Sequence, residues 1–175
     1  MVKKKNVSKK KTSNRKSLSP HNQPIKIENQ CFYIIHPKHR DGKDPDASQW
    51  IISEDEEKQC FATTLSCAWI IPENVENLCK EGQFGWGIKT GSKKTLEYLG
   101  HIGKNRGQKK VKLAKFRNEK QIKQGNWHGY PANYLENSQD IPPEFILKIW
   151  KNEGYINKSI MSKIKKGKPC KQIQE

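Results

Sequence analysis

Two histidines, His101 and His128, lie in the basic half of the chain. Histidine titrates near neutral pH, so a pair of them can divide the work of general base and general acid. Lys115 and Arg117 stand between them and can stabilise negative charge on a reacting phosphorus, and Tyr130 can donate a hydrogen bond. These are the residue types that a small metal-independent, toxin-like ribonuclease needs: a base for the ribose 2′-hydroxyl, an acid for the leaving oxygen, and a cation for the transition state. Spacing alone does not place them together; the fold must do that.

The charge pattern points to the same class of partner. The 175 residues carry a formal net charge of +16, and the excess is clustered. Residues 41–81 are acidic, whereas the N-terminal stretch, residues 89–123 and residues 158–171 are basic. Clustered cations raise the local potential by several kT and attract polyanions, with free energy gained from released counterions. The central segment offers Lys104, Arg106, Lys109, Lys110, Lys112, Lys120 and Lys123 to phosphates, and Trp127 follows as a ring on which a base could stack. The expectation is a nucleic-acid-binding protein that prefers RNA or single strands over duplex. Ribonuclease chemistry through His101 and His128 is the alternative, and a module with a protein partner is a third reading. Nothing in the sequence sets the oligomeric state.

Other chemistries have weaker support. Asp41, Asp44 and Asp46, with Glu54, Glu56 and Lys58, offer carboxylates for magnesium, but the loop also reads as a solvated turn. Residues 100–107 are glycine-rich and basic yet lack phosphate-loop spacing, and no cofactor fingerprint is present. Cys31, Cys60, Cys67, Cys79 and Cys170 are odd in number and widely spaced. Cys60, Cys67 and Cys79, joined by His36 or His39, could bind zinc, but no close cysteine pair supports it and reduced thiols are the expectation. No apolar run is long enough to span a membrane, and no secretory signal pattern opens the chain, so no membrane partner and a cytoplasmic location are expected.

These residues need a scaffold. Residues 1–27 are lysine-rich, lack aromatic residues, and read as a disordered basic tail. Residues 28–175 read as one α+β domain, a small antiparallel sheet with a C-terminal helical hairpin. Strands are predicted at residues 31–35, 50–52, 61–71, 84–88, 95–102 and 111–116, the last two forming a basic hairpin. The acids at 54–57 read as a turn, residues 73–80 as one or two helical turns, and residues 127–131 as an aromatic loop. The alternation of large residues with glycine at 84–88 suits a strand that another backbone approaches closely. Pro142, Pro143 and the apolar spacing of Phe145, Ile146, Ile149 and Trp150 predict a helix that stops at Gly154. Asn157 is placed to cap a second one.

Overall fold

A computed structural model of the chain describes residues 25–26, 31–71, 82–118 and 126–175. Residues 1–24 of the expected tail, the helical turns at 73–80, and Cys79, Lys120 and Lys123 lie outside the described residues.

The described chain is α+β. It begins with β1 (Ile25–Lys26), at the end of the expected tail, then β2 (Phe32–Tyr33) and β3 (Gln49–Trp50). Next come α1 (Glu54–Ser66), β4 (Ile70–Ile71) and β5 (Phe84–Gly87). Strands β6 (Gly100–His101), β7 (Lys110–Val111), β8 (Ala114–Asn118) and β9 (Asn126–Pro131) follow, then α2 (Glu144–Asn152) and α3 (Lys158–Lys165). Six strands form one sheet in the order β1-β2-β9-β8-β5-β4, and β3-β6-β7 form a second. All pairings are antiparallel except β2 with β9, which run parallel.

Three local expectations are corrected. The acids at 54–57 are not a turn and residues 61–71 are not one strand: residues 54–66 are helix α1. Ser53 caps it in a reciprocal box with Glu56, and Glu54, Asp55, Glu56 and Glu57 fill the first turn, where acids suit the positive end of the helix dipole. Glu57, Cys60, Phe61, Thr64 and Leu65 are buried at helical spacing. Residues 127–131 are likewise not a loop but lie within β9, the long inner strand between β2 and β8.

Pairing and pleat sort the main sheet into two faces. On one, Gly85, Gly87 and Gly129 make room for α1 and the core. A methyl on Gly87 would lie 2.8 Å from the Cys60 Sγ and Thr64 Oγ1 atoms, and one on Gly129 would run into the Phe116 ring. Tyr33, Phe61, Phe116 and Trp127 pack there as one aromatic cluster. On the other face, Trp86 joins Trp69, Ile146, Leu147, Trp150 and Ile164 in a core built around α2 and α3. The expected helical pair is present. Asn157 Oδ1 accepts from the Ile160 amide at 2.9 Å, and Gly154 takes the left-handed φ of 79° that follows α2. Pro143 stands at the N-cap of α2.

Candidate functional site

Strands β8 and β9 place Arg117 opposite His128 and Lys115 opposite Tyr130, so all four project from the face that carries Trp86. The segment after β2 brings two more rings. Pro37–His39 is a single 3-10 turn, and the His36 Nδ1 atom caps it by accepting from the Lys38 amide at 3.2 Å. His39 Nδ1 lies 2.8 Å from the Ser48 carbonyl. The ring centroids of His36 and His128 are 5.4 Å apart, those of His36 and His39 5.8 Å, and His39 stacks on Tyr130 at 5.4 Å.

The result is a cleft of about 500 Å³ lined by the three imidazoles with Arg106, Arg117 and Tyr130. Asp140 forms one wall. Its carboxylate accepts from Tyr130 Oη at 2.9 Å, from the Asn133 amide at 2.9 Å and from Asn137 Nδ2 at 3.0 Å. Lys115 lies behind this wall, almost fully buried. Its Nζ donates to the Gln139 carbonyl at 2.5 Å and sits 3.7 Å from Asp140 Oδ1. Lys115 therefore braces the wall and is not a free cation.

Burial dominates the electrostatics of the cleft. Burial pushes His128 down to about 3, helped by the nearby charges of His36, His39 and Arg117. Burial also pushes His39 down to about 4, against the hydrogen bond to Ser48. Tyr130 is raised by burial and by the neighbouring Asp140 carboxylate. Both rings are thus neutral at pH 7. His128 is 6% exposed, and its Nδ1 atom is buried with no hydrogen-bond partner among the described residues. A buried polar atom left so calls for a ligand or another specific explanation.

No family model, no curated protein and no solved structure matches this chain. The site therefore rests on its own geometry.

Of the residues singled out from the sequence, the structure gathers His128, Arg117, Tyr130 and Arg106 in the cleft, with Lys115 behind it. His101 is not brought to His128. It sits on β6 in the second sheet, its Nδ1 atom 3.1 Å from the Ile102 carbonyl, and lines a neighbouring pocket with Lys104 and Arg40. Trp127 is fully buried against Phe61, so its ring offers no face to a base. Lys109 and Lys110 are exposed on the rim of the second sheet, and Lys110 and Lys112 lie over the Tyr98 ring at 5.5 and 4.5 Å.

The glycine-rich segment 100–107 serves packing. A Cβ at Gly100 would meet the Gln49 carbonyl, and one at Gly103 the Pro45 carbonyl. Its amides are used internally: Asn105 donates to Pro45, Arg106 to Gly103 and Gly107 to Lys104. The acidic loop is also engaged, Asp44 with Lys38 at 3.2 Å, Asp41 with Lys43 at 3.2 Å, and Asp46 with Asn105 Nδ2 at 3.1 Å. Among the described residues, no group of three or more His, Cys, Asp or Glu is placed to hold a metal.

Sequence reasoning had weighed His36 and His39 only as partners of the cysteines. The signal that could have found them is the His36-Pro37-Lys38-His39 motif directly after an apolar strand. What fastens that segment is Arg40. Its guanidinium reaches buried Glu57 on α1 and donates to the Ile52 carbonyl at 2.5 Å and the Ser53 carbonyl at 3.1 Å. Tyr33 completes the clasp, its hydroxyl donating to Glu57 Oε1 at 2.6 Å.

Proposed function

We propose that this protein binds single-stranded RNA and cleaves it without a metal in the His36–His39–His128 cleft, acting in the cytoplasm. The observation that carries the reading is the convergence of His36, His128, Arg117 and Tyr130 on one cleft against the sheet. Two hydrogen-bond reaches span about 5–6 Å. With ring centroids 5.4 Å apart, the His36 and His128 imidazoles are close enough to reach neighbouring oxygens of one phosphodiester seated at the cleft.

Burial and neighbouring charge keep His128 neutral, which suits it to be the base. It takes the proton of the ribose 2′-hydroxyl, and the 2′-oxygen bonds to the adjacent phosphorus. The bond from phosphorus to the 5′-oxygen breaks, and that oxygen leaves with a proton supplied by His36. The products are a 2′,3′-cyclic phosphate and a 5′-hydroxyl end. Arg117 stabilises the charge on the non-bridging oxygens, and an arriving phosphate raises the basicity of the rings against the burial and neighbouring charge that depress it. The Asp140 network holds Tyr130 and the wall in place.

Binding without cleavage is the second reading, favoured by the depressed rings. Two neutral imidazoles can donate hydrogen bonds to phosphate and move no proton. One experiment separates the two. Labelled RNA and DNA of the same sequence are incubated with the protein in EDTA, beside His36→Ala and His128→Ala. Cyclic phosphate ends from RNA alone, lost about 100-fold or more in each variant, support cleavage. Retarded but intact RNA supports binding alone, and indifference to both polymers overturns both readings.

A further inference from the structure

We infer that the groove along α3 is a second phosphate site, which holds the backbone of a single-stranded RNA leaving the histidine cleft. The inference rests on the cleavage reading for what occupies the cleft, and it makes the preferred substrate a polymer rather than a short fragment.

The groove, of about 570 Å³, is lined by Lys158, Ser159, Ser162, Lys163, Lys166 and Lys168. Helical spacing explains its composition. Ile164 is fully buried, which turns residues 158, 162 and 166 outward as one row and residues 159 and 163 as the next. Four lysines thus share one concavity with two hydroxyls between them. Several surface cations elsewhere find carboxylates: Lys38 pairs with Asp44, Lys58 with Asp55, Lys148 and Lys165 with Glu144. Among the described residues, no carboxylate pairs with Lys158, Lys163, Lys166 or Lys168. Lysines gathered unpaired in a hollow repel one another, and a chain of phosphates relieves that repulsion.

The groove also borders the cleft. Tyr134 Oη donates to the Lys168 carbonyl at 3.0 Å, and a methyl on Gly167 would lie 3.9 Å from both the Tyr134 carbonyl and Ile141 Cδ1. Asn133, Asn137 and Asp140, from the same segment, line the histidine cleft. Segment 133–141 therefore lines the cleft through Asn133, Asn137 and Asp140 and meets the turn after α3 through Tyr134 and Ile141. The Lys168 amide donates to the Lys163 carbonyl at 2.8 Å, which ties the groove's far end to the helix. Lysine gives phosphate contact without base readout, so the site should tolerate any sequence.

The test is binding of a labelled, unstructured oligoribonucleotide, measured against salt by fluorescence anisotropy. Full-length protein carrying His128→Ala is used so that the probe stays intact. Adding Lys158→Gln, Lys163→Gln and Lys166→Gln should weaken binding tenfold or more at low salt. The slope of log affinity against log salt should become shallower by about 2, since each single-strand contact is worth about 0.7. In the His128-containing protein, the same lysine changes should raise KM for the long RNA and leave dinucleotide cleavage unchanged. Unaltered affinity and slope would overturn the inference. Competition by polyglutamate as strong as by RNA would also overturn it, in favour of an acidic protein partner. Failure of the cleavage reading is seen separately, as an intact dinucleotide with a slope that still drops.

Discussion

His128 is where chemistry and stability meet at the scale of a single residue. Its ring is held at about 3 in the fold against an ordinary value of 6.5. Between those values the unfolded chain binds the extra proton. The histidine's contribution is therefore complete above about pH 6.5 and is lost as pH falls toward 3. His39 adds to this down to about 4. Thermal melts should show Tm falling on acidification through this window, and His128→Asn and His39→Asn should each flatten the fall. A profile with the same slope in both variants would contradict the assignment. Inorganic phosphate should oppose the fall, stabilising the protein more at pH 5 than at pH 7, because an anion favours the protonated rings. His128, Arg117 and Tyr130 were legible in the sequence as residue types close together in the chain. His101 misled because β6 pairs with β3 and β7 in the second sheet, where its ring lines the neighbouring pocket. His36 and His39 were read only beside the cysteines, because a parallel pairing between strands far apart in the chain is what brings them to His128.

At the scale of elements, the cleft depends on how α1 and the histidine-bearing turn are fixed. Glu57 is fully buried on α1. Burial raises its carboxyl, while Tyr33 and Arg40 favour its charged form. Removing one partner of such a pair leaves a buried, uncompensated charge, at a cost of about 3–5 kcal/mol. Glu57→Leu should lose that much in chemical denaturation and should also weaken cleavage, because the turn holding His36 and His39 loses its clasp. Arg40→Leu combined with Glu57→Leu should be less damaging than the two single losses added together. Strict additivity would show that the pair does not act as a unit. The close seat of α1 gives a second expectation. Gly87→Ala puts a methyl against Cys60 and Thr64 and should cost about 1–3 kcal/mol by overpacking, read as a lower denaturation midpoint with an unchanged slope. The glycine alternation in β5 was legible as a close approach, and the C-terminal helices were legible from their prolines, cap and apolar spacing. Helix α1 was misread because Phe61, Thr63 and Thr64 look strand-like. The Ser53-x-x-Glu56 box and four acids in its first turn were the better guide.

Over the whole molecule, one face of the main sheet is closed by α1, and the other is shared between the α2–α3 core and the histidine cleft. The C-terminal helices cover Trp86 and stop short of Arg117 and His128, so the uncovered part of the sheet is the part lined by cations. The clustering of charge along the chain was legible because it is a sum over sequence. Which cations share a surface was not, because turns and pairing decide it: Arg106 reaches the cleft while Lys104, two residues away, faces the next pocket. If phosphates are the partner, affinity for single-stranded RNA must fall steeply between about 50 and 200 mM salt. Lys3, Lys4, Lys5, Lys9, Lys10, Lys11, Arg15 and Lys16 lie outside the described residues, and their part can be read from charge alone. Replacing all eight with glutamine should lower the affinity and flatten its salt dependence, while kcat on a dinucleotide stays unchanged, because the proposed reaction uses His36, His128 and Arg117 and none of the eight. A fall in kcat would mean that the N-terminal segment enters the reaction itself. Salt-independent binding by the wild type would instead remove the phosphate backbone as the target.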